Sequence, residues 1–267
     1  MPAHNQLHLW DDRFLYITPA IQSGLTTRSS ATLLASATSQ PFTLVTLDGT
    51  VLRCGAALVA PHVPRRLDAD GCGLLSLNID PASAGYRALA ARLGTSAILP
   101  LDAHCFAGLR DPFEGALHGQ LDDAQLRQLG QDMVHAACGM PSASAPLDAR
   151  VARVLQRLRA AAGQPQVPLR ELAVAACLSP DRLTHLFREQ TGLSIKRYLL
   201  WAKVRRTIQL IASQQPLSDV ALAGGFTDAS HMSRTFQRYF GLSPSFLASG
   251  GRVAVTVDAH AAQTWRA

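Results

Sequence analysis

The chain has 267 residues, 48% of them hydrophobic and 16% charged, and carries a formal net charge of +6 at pH 7. That length is enough for two domains with separate cores, and the hydrophobic content excludes a chain disordered throughout. No apolar run approaches the ~18 residues of a membrane span. The start, Met1 to Asn5, lacks a basic then hydrophobic leader, so a cytoplasmic protein away from membranes is expected.

The charge is divided unevenly. Residues 150–252 hold fifteen Lys or Arg against five Asp or Glu, whereas residues 1–149 hold nine against thirteen. A basic region joined to an acidic one implies that only the C-terminal part meets phosphates. Five widely separated cysteines (Cys54, Cys72, Cys105, Cys138 and Cys177) contain no C-x-x-C pair and read as free or buried thiols; isolated cysteines leave a redox or soft-metal sensor as the other reading.

In chain order, period-two alternation predicts strands at Phe14–Thr18, Thr32–Ala37, Phe42–Leu47, Thr50–Cys54, Ala57–Ala60 and Leu74–Asn78. Many short strands with Gly, Pro and Asp between them suggest a small sandwich or barrel. Tyr86, Leu89, Ala90 and Leu93 give a helical spacing within Pro81–Leu93, and residues 94–119 carry no clear pattern beyond a turn at Asp111-Pro112. Asp122-Asp123 opens a helix with an apolar stripe of Leu126, Leu129, Met133, Val134 and Ala137. That stripe fits either packing on its own barrel or pairing in a homodimer. Small residues and proline at 139–147 fit a linker, and Asp148–Ala162 begins a basic helical domain with Val151, Val154, Leu155 and Leu158 inward and Arg153, Arg157 and Arg159 outward.

Residues 168–247 contain a repeat. An offset of forty-eight residues lays Leu172-Ala173 on Val220-Ala221 and Cys177 on Gly225; one extra residue then lays Leu183 on Met232, Phe187 on Phe236 and Gly192-Leu193-Ser194 on Gly241-Leu242-Ser243. Each copy reads as a short helix, a tight turn and a second helix. Ala173 and Ala221 allow close helix crossing, and the turn position favours Gly because it needs a positive φ. Ser179 and Asp228 supply N-terminal caps, and Pro180 suits a first helical turn. Between the copies, Ile195–Ala212 predicts a helix ~27 Å long, enough with its flanking turns to set two readers ~34 Å apart.

Two such units in tandem, ending Gly225-Phe226, Ser230, Arg234, Phe236 and Gly241-Leu242-Ser243-Pro244, resemble the AraC/XylS family of bacterial transcription regulators. The resemblance covers roughly the last hundred residues and implies double-stranded promoter DNA and RNA polymerase as partners. Projecting the second helix of each unit leaves Asp181, Arg182, Thr184, His185 and Arg188 in the first and Ser230, His231, Ser233, Arg234 and Arg238 in the second outward, with Leu183, Leu186, Phe187, Met232, Phe236 and Tyr239 inward; of these, Arg182, Thr184, His185, Arg188 and the five of the second helix are the candidates for bases or phosphates. A structural ion pair with Asp219 or Asp228 is the other reading of Arg234.

The same resemblance implies an N-terminal cupin-like barrel holding a small-molecule effector. Gly55 to Arg66 resembles the second cupin motif, but Val63 and Arg66 stand where metal-binding cupins carry Gly and His, and Arg has no usable lone pair. Neither metal nor cofactor is therefore expected. His62, Arg65 and Arg66 are the candidates for orienting an anionic or polar effector; as packing residues, they would be a satisfied loop histidine and a solvated strand end. His104-Cys105 is a further pair of ligand types, but adjacent residues rarely make a metal site unaided. The expected architecture is residues 1–138 as effector domain, 139–147 as linker, 148–252 as DNA-binding domain and 253–267 as tail. The expected function is effector-controlled, sequence-specific regulation without enzymatic activity, with a cupin-type enzyme or metal or redox sensor fused to a DNA-binding domain as the alternative.

Overall fold

The computed structural model describes residues 5–28, 30–38, 40–139, 146–163, 167–212, 215–240, 242–249 and 253–257. Most of the expected linker, and the tail beyond 257, lie outside these residues. The N-terminal part begins with nine strands: β1 (Asn5–Leu9), β2 (Arg13–Thr18), β3 (Gln22–Thr26), β4 (Ala31–Ser36), β5 (Phe42–Thr46), β6 (Val51–Cys54), β7 (Ala56–Val59), β8 (Arg65–Asp68) and β9 (Leu74–Ile79). Then follow α1 (Ala84–Leu93), β10 (Ile98–Leu101), a 3-10 turn (Ala103–Leu109), α2 (Arg110–Leu117) and α3 (Asp123–Cys138). The C-terminal part is helical: α4 (Ala149–Ala160), α5 (Leu169–Ala175), α6 (Pro180–Thr191), α7 (Ile195–Ile211), α8 (Leu217–Ala223), α9 (Ala229–Phe240) and α10 (Pro244–Ala248), closed by strand β11 (Val253–Val257).

The strands form a seven-stranded sheet in the order β10-β7-β4-β9-β2-β1-β11 and a four-stranded sheet in the order β3-β8-β5-β6. Side chains alternate across the larger sheet as the strand period requires. Leu33, Leu58, Leu75, Leu77 and Ile79 face outward onto α1, α2 and α3, where Leu89, Phe113, Leu126, Leu129, Met133 and Ala137 complete one core. Leu34, Val59 and Leu74 face inward onto Phe42, Leu44 and Leu67 of the smaller sheet. The result is two facing sheets rather than a closed barrel, and the apolar stripe of α3 is consumed by its own sheet. Asp122 and Gln125 cap that helix reciprocally, a capping box.

The smaller sheet leaves part of the inner face uncovered. On β1 and β2 the inward residues Leu7, Leu9, Phe14 and Tyr16 instead join the core of the helical domain. Phe14 lies 5.6 Å from Trp201 and 5.4 Å from Phe240, ring centre to ring centre. Strand β11 adds to the edge of β1 in parallel, Asn5 opposite Val253 through Leu9 opposite Val257, so a segment beyond the helices completes the N-terminal sheet.

At the junction Asp80 is 1% exposed and gathers the helical domain around its carboxylate. Trp201 Nε1 donates to it at 3.3 Å and Tyr198 Oη at 3.5 Å, while Arg159 and Arg205 lie at 3.6 and 3.8 Å. Arg205 is fully buried and also donates to the carbonyl of Trp10. Two readings need correction here. Arg159 turns inward enough to pair with Asp80 and donate to Tyr198 at 3.0 Å, and Pro112 lies inside the first turn of α2, where its missing N–H costs nothing, rather than in a loop.

Removing one partner of a buried ion pair leaves the other charge uncompensated, at about 3–5 kcal/mol. Asp80→Ala is therefore expected to lower the unfolding free energy by about that amount in urea titrations; a loss below about 1 kcal/mol would show that the cluster is not a structural tie.

Candidate nucleic-acid interface

The two helix pairs, α5–α6 and α8–α9, share one local design. Leu172, Ala173, Val220 and Ala221 are buried beneath the second helices, the alanines allowing close crossing. Both turns need the left-handed backbone: Gly225 has φ 81° and Cys177, at the matching position, has φ 52° despite its side chain. Ser179 Oγ accepts from Arg182 N at 3.3 Å, and Asp228 Oδ1 accepts from His231 N at 2.7 Å, as the capping pattern expects. The His231 N–H is also the leading cause holding the Asp228 carboxyl below its usual range.

Cations finish the turns. Carbonyls at a helix C-terminus lack intrahelical partners. Arg153 of α4 donates to Ala175 O at 3.0 Å in the first unit; Arg206 and Lys203 of α7 donate to Ala223 O and Gly225 O at 2.9 and 2.8 Å in the second. Part of the basic charge thus holds the turns in place. At 17 residues, α7 is ~25 Å long and links the two units directly.

The core-facing projection of both second helices matches the structure: Leu183, Leu186, Phe187, Met232, Phe236 and Tyr239 are all buried. On α6, Arg182, Thr184, His185 and Arg188 are exposed, although the Thr184 hydroxyl donates to Pro180 O at 2.9 Å, which leaves its methyl as the outward contact. On α9, Ser230, Arg234 and Arg238 are exposed while His231 and Ser233 are half-buried. His231 contacts Thr227 Oγ1 through Nδ1 at 3.2 Å and stands edge-on to Phe226. Arg234 forms no ion pair among the described residues, though its charge acts on Asp228.

The N-terminal domain meets this surface. Thr27 N donates to Arg238 O at 2.9 Å, and a groove of about 510 Å³ runs between the domains, lined by Thr27, His62, Arg197, His231, Arg234 and Arg238 among others, with no acidic side chain. His62 adopts φ 64°, and its Nε2 is buried without a hydrogen-bond partner. Burial first, then the charges of Arg197 and Arg238, push its pKa down to about 4, so it is neutral at pH 7. Arg65 is 3% exposed within β8 and Arg66 is exposed. The packing picture of a satisfied His62 and a solvated Arg65 is thereby corrected, and Arg66, which β8 turns the other way, does not join them. Sequence reasoning missed Arg28, buried beside Arg65, because a lone Arg between two strands gives no pattern. His104 and Cys105 are exposed, and among the described residues no group of three His, Cys, Asp or Glu is placed to hold a metal.

A mainly-β domain clasped to two helix-turn-helix units on one connector helix defines a two-domain protein with a DNA-binding architecture. Residues 172–249 match the family described as "Helix-turn-helix domain". The chain is 34% identical over 109 residues to the arabinose operon regulatory proteins of Salmonella typhimurium and Escherichia coli, 39% of this chain and 38% and 36% of theirs. It thus matches little more than a third of the length of these relatives. ToxT from Vibrio cholerae has the same fold across both domains, with a TM-score of 0.55 at 12% identity, covering 89% of this chain and 98% of that one. Over its C-terminal hundred residues the chain is thus similar to bacterial operon regulators and to the helix-turn-helix domain described above.

The turns make a local prediction. A Cβ on Gly225 would lie 2.6 Å from Ala162 O in addition to the strained φ. Gly225→Ala should cost more than about 1 kcal/mol of stability, whereas Cys177→Gly, which relieves a left-handed side chain but frees the unfolded backbone, should fall within about 1 kcal/mol of the parent. Equal losses in chemical denaturation would refute the close packing at the second turn.

Proposed function

We propose that the protein is a sequence-specific, DNA-binding transcription regulator whose N-terminal domain, within residues 1–138, senses a small molecule. In this reading residues 139–147 are the linker, 148–252 the DNA-binding domain and 253–267 the tail. The observation that carries it is the pair of like-built helix-turn-helix units joined by α7, each presenting exposed polar and basic side chains on its second helix. Arg182, Thr184, His185 and Arg188 would enter one major groove, and Ser230, His231, Ser233, Arg234 and Arg238 would meet the next groove or its phosphates. Because one chain carries both readers, site recognition does not require the homodimer, and the α3 stripe that motivated one is spent on its own core. RNA polymerase is the natural protein partner of such a regulator. A metal-dependent cupin enzyme gains nothing from a site with Arg66 in place of the metal-binding His. No helix among the described residues is long and apolar enough to cross a membrane, which accords with a role at DNA.

The effector clause has two supports. ToxT, which shares the fold, has a structure with an unsaturated fatty acid bound. In this chain Arg28 and Arg65 are buried inside the N-terminal domain with no acidic partner among the described residues.

The two readers differ chemically. The first carries long Arg182 and His185 side chains, suited to base edges, whereas Ser230 and Ser233 of the second are short and suit backbone positioning. In a binding-site selection, Arg182→Ala should relax sequence preference more than Ser230→Ala; reversed effects would overturn this division. Binding should weaken with salt at a log–log slope of about −0.9 per phosphate neutralised. Purified protein that shows no sequence preference among promoter fragments at any salt would contradict the function itself.

A further inference from the structure

The groove between the domains runs along one flank of the second reader. His231, Arg234 and Arg238 stand three and four residues apart on α9, which puts them on one face of that helix. Arg197, in the first turn of α7, lines the same groove, and Thr27 and His62 form its N-terminal wall. Three of these side chains are guanidiniums; none is in an ion pair among the described residues, and no acidic side chain lines the groove. Like charges gathered in a concave surface focus a positive potential, which draws an anion in.

Backbone contacts fix the wall. Thr27 N donates to Arg238 O at 2.9 Å, and His62 N donates to Arg28 O at 2.7 Å. His62 is held at φ 64°, a left-handed backbone that a residue with a side chain adopts only at a cost. Its Nε2 is buried with no hydrogen-bond partner, and a buried polar atom left unpaired forfeits the hydrogen bonds it made to water. The charges of Arg197 and Arg238 act on the same ring, so an orphaned nitrogen and two unpaired cations border one space of about 510 Å³. An oxyanion placed there would satisfy all three.

Position decides which oxyanion. Arg234 and Arg238 belong to the reader that meets DNA, and the sugar-phosphate backbone bordering a major groove runs along the flanks of a helix lying in it. Arg197 stands on the helix that joins the two units, where the duplex presents backbone between successive major grooves. We propose that Arg197, Arg238 and His62 hold one DNA phosphate beside the second reader, so that the N-terminal domain itself contributes a DNA contact. The phosphate oxygens accept from both guanidiniums and from His62 Nε2, where the neutral ring carries its one N–H. The N-terminal wall is then part of the grip, and DNA favours the clasped arrangement of the domains. This contact rests on the reading of the protein as a DNA-binding regulator.

The test measures the affinity of the full chain for a site selected from random DNA and for an unrelated fragment, with the thermal unfolding midpoint alongside. His62→Gly accepts the left-handed backbone without strain, so its midpoint should stay close to that of the parent. Its affinity should fall about tenfold on both fragments, the loss of one hydrogen bond to a charged oxygen in a contact that reads no sequence. Exposed Arg197→Ala should weaken both alike and reduce the salt slope by about 0.9. Ethylating one phosphate beside the second protected tract should block the parent and matter less to His62→Gly. Undiminished DNA binding by His62→Gly would overturn the clamp, as would tighter binding, which would make His62 a mask over the reader, or a loss confined to the selected site. Inorganic phosphate at fixed ionic strength separates a free anion: saturable stabilisation of the parent that His62→Gly loses, with DNA affinity unchanged, would overturn it too. A parent that does not discriminate between the fragments takes the regulator reading down with the clamp, whereas a selective parent with an undiminished variant leaves that reading standing.

Discussion

A single buried carboxylate organises the joint between the two halves of the molecule. Asp80, just past the end of β9, holds Tyr198, Trp201 and Arg205 of α7 and Arg159 of α4, and Arg205 returns to the carbonyl of Trp10. Asp80 and Arg205 are both fully buried, and a buried ion stripped of its partner is strongly destabilising. The tie falls on α7, the helix that joins the two helix-turn-helix units.

Around that tie the halves complete one another. The four-stranded sheet covers only part of the inner face of the larger one, and Trp201, Phe240 and Leu247 join the core of β1 and β2. Strand β11 extends the larger sheet from the far end of the chain. An N-terminal domain separated from the helices would expose Leu7, Phe14 and Tyr16 to water. Burial of apolar surface therefore favours the clasped arrangement.

The helical domain was legible because its rules are local. The forty-eight-residue repeat, the caps at Ser179 and Asp228 and the positive-φ position at Cys177 and Gly225 are set by near neighbours, and each has its expected counterpart in the structure. The six expected strands have counterparts in β2, β4, β5, β6, β7 and β9, although β2, β7 and β9 are buried at every residue and β6 at none. Strands β1, β3, β8 and β10 have no signal in the sequence, β3 and β8 because their polar residues conceal the period; for β11 the sequence leaves a short strand undecided because its partner lies at the opposite end of the chain. Burial of Arg28, Arg65 and Arg205 was illegible for a related cause. A sequence does not distinguish an arginine that snorkels to water from one enclosed by residues remote in the chain, and Asp80 reaches Arg205 across 125 positions.

Two helix-turn-helix units joined by α7 are expected to let one chain grip DNA twice at a fixed distance. Hydroxyl-radical footprinting of the full chain on a fragment selected from random DNA measures this most directly. Two protected tracts on one face of the duplex, centred about 10 base pairs apart, are expected. One tract, or protection with no fixed spacing, would contradict it.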